Sequence, residues 1–161
     1  MQDVWPKSWK VSPKFFKPSE CGFTRGNIDK RISEGRNMDF QFMMKIDGLR
    51  SQFHKPMIIG SGYRTAEHNR KIGGAANSAH VKGRAVDVNT VGWQSWERKE
   101  LVRIAKLKGI QGVGIADTFI HLDDYTKKDG ATRPLTWLYE RVGGKLHPKY
   151  LTGHDVPESA W

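Results

Sequence analysis

Two histidines and one aspartate stand where a divalent metal could be held. The segment Ser78-Ala79-His80-Val81-Lys82-Gly83-Arg84-Ala85-Val86-Asp87 sets an imidazole just before a glycine that permits a tight turn, then enters an extended stretch carrying Asp87. A carboxylate inside Ala-Val-Asp-Val is costly unless it has a partner. Downstream, Phe119-Ile120-His121-Leu122-Asp123 reads as a strand, with Phe119, His121 and Asp123 on one face and Ile120 and Leu122 on the other. Imidazole and carboxylate both suit zinc, and three protein ligands leave a fourth position open, which distinguishes a catalytic ion from a structural one. Such an ion lowers the pKa of water to about 7 and polarises a carbonyl. Asp117, one turn ahead of His121, is the nearest carboxylate for proton transfer. Arg64, in Gly62-Tyr63-Arg64-Thr65, is the cation assigned to a developing oxyanion. His54, His68, His147 and His154 have no comparable setting and read as surface or satisfied histidines.

These residues need anchoring elements. Met38, Phe42, Ile46, Leu49 and Phe53 recur every three or four residues and predict a helix over 37–53, with Asn37 as N-cap and Asp39 in the first turn. Lys55-Pro56 ends it. Met57-Ile58-Ile59 predicts a buried strand, punctuated by Gly60-Ser61-Gly62. Thr65 to Lys71 predicts a short helix stopped by Gly73-Gly74, and Ala85 to Val88 a strand. A second long helix is expected from Ser95 to Lys108, with Trp96, Leu101, Ile104, Ala105 and Lys108 on one face and Gly109 as its stop. Ile110–Ile115 and Phe119–Asp123 predict two short strands joined by a turn. Residues 1–27 read as an irregular arm, and residues 133–161 as a tail of surface aromatics with at most one short helix. Helices interleaved with short strands, without a phosphate loop, imply an α+β fold with a small, mainly antiparallel sheet flanked by helices.

The chain's 161 residues suit a single domain spanning 1–161. Cys21 is the lone cysteine, which excludes an intrachain disulfide and a multi-cysteine metal site. No apolar run approaches the roughly 18 residues of a membrane span. Met1–Lys7 lacks a basic segment followed by an apolar one, so synthesis in a cytoplasm without a secretory leader is expected, and any action outside would follow release. The net charge of +10 favours polyanionic partners. Anionic envelope polymers fit this charge. Nucleic acid is not expected, because the basic residues are scattered and accompany no nucleic-acid motif.

At these residues the chain resembles the zinc D-alanyl-D-alanine carboxypeptidase-like metallopeptidases, a group that includes phage endolysins cutting the L-alanyl-D-glutamate bond. The group shares its fold with lysostaphin-type enzymes and the hedgehog signalling domain. The pattern Ser-x-His-x-x-Gly-x-Ala-x-Asp is matched from Ser78 to Asp87, and Ser-Gly-Tyr-Arg-Thr by Ser61 to Thr65. An Asn followed by Gly-Gly is matched by Asn69, Gly73 and Gly74, and a late His with Asp two residues on by His121 and Asp123. The resemblance runs from about Phe15 to Asp124. It implies one zinc ion on His80, Asp87 and His121. Arg64 becomes a substrate or oxyanion contact, and Tyr63 and Ser78 are further substrate-binding candidates. It also implies peptidase action on bacterial peptidoglycan, and a short, basic chain without a secretory leader is expected to be a monomeric phage or prophage lysis enzyme. Many members carry Glu or Asp three residues before the last His; here Thr118 stands there, with Asp117 one position earlier. On a strand that offset turns a side chain to the other face unless a bulge or turn intervenes. The alternative is a zinc-containing wall-binding module with weakened catalysis.

Overall fold

The computed structural model describes residues 1–151 and 155–161, so His154 lies outside the described residues. In chain order the elements are α1 (Pro18–Cys21), α2 (Ile28–Gly35), α3 (Phe40–Phe53), β1 (Ile58–Ser61), α4 (Ala66–Lys71), β2 (Ala85–Asn89) and α5 (Ser95–Leu107). There follow β3 (Gly112–Ile115), β4 (Phe119–Asp123), β5 (Leu135–Val142) and β6 (Lys145–Tyr150). Among the described residues these strands form one six-stranded sheet of order β1-β2-β4-β3-β5-β6, antiparallel at every pairing except β3 with β5. The architecture is α+β. Among the described residues no helix is long and apolar enough to cross a membrane.

Strand alternation gives the sheet two unlike faces. Val86 and Val88 of β2, Val113 and Ile115 of β3, and Ile120 and Leu122 of β4 are buried in one core. Phe42, Met43, Ile46 and Leu49 of α3 and Leu101, Ile104 and Ala105 of α5 belong to the same core, so α3 and α5 cover this face. Burying each large aliphatic or aromatic side chain there contributes about 1.5–3 kcal/mol. The opposite face presents Asp87 from β2 and His121 and Asp123 from β4, beside glycines 112 and 114 of β3. A Cβ on Gly114 would stand 2.7 Å from ring atoms of both Trp137 and Tyr139, and one on Gly112 would stand 2.2 Å from Asp123. The alternating glycines thus let neighbouring strands' side chains lean across β3.

Several boundaries differ from expectation. Asp39, not Asn37, caps α3: its carboxylate accepts the Phe42 amide at 2.8 Å, while the Asn37 side chain donates to the Ser33 and Glu34 carbonyls at the end of α2. Trp96 is 66% exposed. The buried stripe of α5 runs through Arg98, Leu101, Val102 and Ala105, the i, i+3, i+4, i+7 set, and Trp96 falls outside it. The expected arm over 1–27 is irregular only as far as Lys17, since α1 follows, and α2 begins at Ile28. The largest correction concerns 133–161. It contributes the β5–β6 hairpin, turned by Gly143 and Gly144, both at positive φ (56° and 79°), in the two-residue turn geometry that glycine pairs favour.

The contact of Gly114 with the hairpin rings is testable. Gly114→Ala forces those rings to shift and should cost about 1–3 kcal/mol in urea-induced unfolding, as overpacking does. An unchanged unfolding midpoint would show that β5 does not pack on β3 in this way.

Candidate metal centre and cleft

Each of the three predicted ligands reaches the centre from a different element, one turn and two strands. His80 sits in a 3-10 turn, Ala79–Lys82, that ends at Gly83 with φ 67°. A Cβ at Gly83 would meet the Asn37 carbonyl at 2.3 Å, so both conformation and close approach require glycine here. Asp87 and His121 face each other across the β2–β4 ladder as register partners. Atoms of the three side chains gather at one point, and one ligand atom from each lies within 4.8 Å of the others. His121 Nδ1 is 2.9 Å from Asp87 Oδ1, His80 Nε2 is 3.3 Å from the same oxygen, and the two ring nitrogens are 3.2 Å apart.

The outward nitrogens decide the tautomers. His80 Nδ1 lies 2.7 Å from the Gly62 carbonyl, an acceptor only, so Nδ1 carries hydrogen and Nε2 offers a lone pair. His121 Nε2 lies 3.0 Å from the Asp123 carboxylate, which assigns its hydrogen there and leaves Nδ1 as the inward donor atom. Three electron-pair donors therefore converge. Donors about 2.0–2.2 Å from a tetrahedral zinc stand about 3.3 Å apart, close to the spacing found here. The set is two imidazoles and one carboxylate, each imidazole held from behind by an oxygen acceptor, as is usual for metal-ligating histidine. These residues fit zinc and leave its remaining position open to the cleft.

Without a cation the same geometry must store a proton. Burial works against a charged His121, but hydrogen bonds to Asp123 and Asp87 outweigh it and raise its pKa to about 9. Burial pushes His80 down, more than the Asp87 charge restores. Burial also opposes ionisation of Asp87, yet the histidine pair beside it, with the proton it shares, holds its carboxyl well below the usual range. Asp123, despite burial, is drawn to about 2 by His121 and Arg133.

The support behind the ligands is continuous. Arg133 grips Asp123 through Nε at 3.0 Å and a terminal nitrogen at 2.7 Å. Tyr63 N donates to the Cys21 carbonyl at 2.9 Å, and a Cβ at Gly62 would meet that carbonyl at 2.4 Å, so α1 fixes the Gly62 carbonyl that orients His80. Arg64 N donates to the His80 carbonyl at 3.2 Å. The Arg64 guanidinium reaches Asp87 Oδ2 only at 3.5 Å and Asn69 Oδ1 at 3.4 Å, and its Nε is buried without a partner among the described residues. Asn69 is itself held by donation to the Ala75 carbonyl at 2.9 Å, and Gly74 leaves room for its amide. Arg64 is thus positioned but underused.

A cavity of about 390 Å³ opens beside the three ligands. Arg64 and Ser78 line it, and Tyr63 does not. Asp117 is not brought to the centre. Its side chain is 58% exposed, faces Arg141 at 3.5 Å and does not line the cavity. The buried Arg98 donates to Thr90 Oγ1 and to the Ala116 and Asp117 carbonyls, which fixes the β3–β4 turn with the Asp117 carboxylate outward. Among the described residues the cavity's carboxylates are Asp87 and Asp123 alone. Asp123 is saturated by His121, Arg133 and the Tyr125 amide, leaving Asp87 Oδ2 as the lightly held oxygen. The other described histidines stand apart: His54 ends α3, His68 stacks on Phe23 at 4.3 Å, and His147 lies exposed on β6.

Trp137 and Tyr139, unremarked as site residues in the sequence, also line the cavity. The Trp137 ring lies 5.3 Å from the His121 ring, and burial raises the Tyr139 hydroxyl to about 12, so it remains a donor. The glycine pair between two alternating stretches was the signal that could have placed them on a hairpin.

In metal-free protein, stability should peak near pH 6.5. Above it the fold holds a proton on His121 that the unfolded chain has lost, so stability falls as pH rises toward 9; below it the unfolded chain protonates His80, which the fold keeps neutral. Zinc displaces the His121 proton, so zinc should shift the optimum upward. Melting temperatures scanned across pH with zinc and with chelator check this, and parallel curves would contradict it.

A family model described as Peptidase M15 matches residues 14–123. No curated protein matches the chain.

Proposed function

The chain belongs to the Peptidase M15 family, and on that premise we propose that it is a zinc peptidase that hydrolyses amide bonds in the stem peptides or cross-links of bacterial peptidoglycan. The observation that carries this is the convergence of His80 Nε2, Asp87 Oδ1 and His121 Nδ1 on one point beside an open cavity. The ion, when bound, supplies Lewis acidity and makes water acidic near neutral pH.

The chain's own groups supply the rest. Gly62 and Asp123 hold the two imidazoles in the tautomers that turn lone pairs inward. Arg64, with its unpartnered Nε and long contacts, is free to turn toward the negative charge that develops on a substrate carbonyl. Tyr139 adds a neutral hydroxyl donor to the same wall. Asp87 Oδ2, held only loosely by Arg64, remains a hydrogen-bond acceptor on the cavity wall. The +10 charge favours residence on an anionic envelope, and a phage or prophage lysis enzyme that acts after release is the setting we propose.

A second reading, a zinc-containing wall-binding module with weakened catalysis, draws on the outward placement of Asp117. Turnover of purified sacculi against simple co-sedimentation separates the two.

His80→Ala and Asp87→Ala should each abolish zinc retention and the release of new amino groups from sacculi; undiminished release by either variant would remove the metal assignment. Arg64→Met should keep zinc but lower kcat by about 10²–10³-fold, the loss typical of one oxyanion donor. A kcat unchanged in Arg64→Met would assign that residue a structural role only.

A further inference from the structure

A second hollow, of about 290 Å³, adjoins the metal centre, since Asp87 and Phe119 line both it and the larger cavity. One wall is the edge strand β1. There the ladder with β2 slips between Ile59 and Ser61, so that Gly60 is the extra residue of a bulge. Gly60 sets no side chain over the hollow, and Ser61 beyond it lines the wall. The opposite wall is the end of β2. Asn89 Oδ1 accepts the Val91 amide at 2.9 Å, which fixes that side chain and leaves its NH2 group as a donor. Thr118 adds a second hydroxyl to that of Ser61. Phe119 adds an aromatic ring, set against Tyr139 with 5.5 Å between centroids.

That combination selects a class of ligand. Among the described lining residues Asp87 alone is charged, and its carboxylate repels an anion. Arg25 stands at the rim, where it donates to the Gly60 carbonyl at 3.1 Å, and does not line the hollow. A wholly apolar group would strip water from one amide and two hydroxyls without replacing its hydrogen bonds. A pyranose ring answers to both kinds of surface. Its C–H face packs on an aromatic ring, and its hydroxyls give and accept hydrogen bonds, as amide and hydroxyl side chains do. An N-acetyl substituent adds one further donor and one acceptor.

The spacing from the metal centre fits the same ligand. Asn89 and Phe119 are register partners, two residues along the strands from the Asp87–His121 pair. Two strand residues span about 6.6–6.8 Å, and extended peptide advances about 3.3–3.6 Å per residue. A group held in the hollow therefore lies about two chain links from a bond placed at the ligands. In peptidoglycan the stem peptide hangs from an N-acetylated hexose through one short acyl link, which brings the sugar within that reach.

Resting on the peptidoglycan reading above, we infer that the hollow between the β1 bulge and Phe119 is a saccharide site, which holds the uncharged N-acetylhexose unit of the wall glycan that carries the stem peptide. The Asn89 amide and the Ser61 and Thr118 hydroxyls take the sugar's polar groups, and the Phe119 ring takes its apolar face. The glycan is then part of what the chain recognises, beside the peptide held in the larger cavity.

The test titrates the full zinc-loaded chain with an N-acetylglucosamine tetramer and with its de-acetylated counterpart, followed by amide NMR. The acetylated oligomer should shift resonances of residues 60–61, 89–91 and 118–119 saturably, and the de-acetylated one should bind more weakly. Asn89→Ala and Phe119→Ala should each weaken that binding about tenfold, as loss of a central contact does, with melting temperature and zinc content followed as controls. Hydrolysis gives the second readout. A stem peptide that still bears its muramyl sugar should be cut with kcat/KM about tenfold above that of the same peptide capped by acetyl, through KM, and Asn89→Ala should remove that ratio. Equal kcat/KM on the two peptides, or no oligomer shift at the hollow, would overturn the inference and leave the peptidase reading standing. Binding of N-acetylglutamate there in place of sugar, lost in Arg25→Gln, would overturn it in favour of a carboxylate site. Sugar binding without hydrolysis of any substrate would keep the saccharide site and remove the peptidase reading.

Discussion

Three electron-pair donors that would repel one another are pressed to within 2.9–3.3 Å, and much of the surrounding structure exists to hold them there. Only a proton or a metal cation relieves that arrangement. The hydrogen bonds behind the rings make the choice of inward atom, since an imidazole nitrogen that donates to an oxygen cannot also be the free one. The support extends outward in chains: Arg133 holds Asp123, which holds His121; the Cys21 backbone holds Gly62, which holds His80. A buried carboxylate among aliphatic residues would be prohibitive alone. In this setting Asp87 is the common partner of both rings.

The unlike faces of the sheet make this centre reachable. α3 and α5 cover one face and bury the branched residues of β2, β3 and β4. The other face, left without a covering helix among the described residues, carries the ligands and the groove formed by the cavity beside them. Gly112 and Gly114 lie on that groove face and let Asp123, Trp137 and Tyr139 occupy space that side chains on β3 would otherwise fill. Fold and site are therefore the two sides of one alternation along the same strands.

Much of this was legible in the residues. The long helix, the strand carrying Asp87 and the strand carrying His121 follow from local periodicity, and α3, β2 and β4 lie where that periodicity placed them within a few residues. Asp39 displaced Asn37 as a cap because the choice between two capping residues two positions apart depends on where the chain enters, and Gly83's carbonyl draws the Asp39 amide to itself. Trp96 was assigned to one face with Leu101, Ile104, Ala105 and Lys108; yet Arg98 is the buried residue at that end, since the β3–β4 turn offers it carbonyls. The tail was misjudged because β5 breaks the alternation with Thr136-Trp137-Leu138-Tyr139, and β6, at the sheet edge, sets Lys145, His147 and Lys149 between its apolar residues.

The sequence by itself determined which side chains could donate to a metal and that Asp87 and His121 would project from strands, because residue chemistry and the two-residue period of a strand are local properties. It also carried the family pattern, since that is a matter of spacing along the chain. Only the tertiary structure decided which nitrogen of each histidine faces inward, that Asp117 turns to solvent, and that residues beyond 133 form one wall of the cleft. Each of those depends on partners remote in sequence, such as Gly62 for His80, Arg98 for the β3–β4 turn and β3 for β5, and a strand pairing or a buried hydrogen bond is selected by the packing of the whole sheet rather than by the neighbours of any one residue.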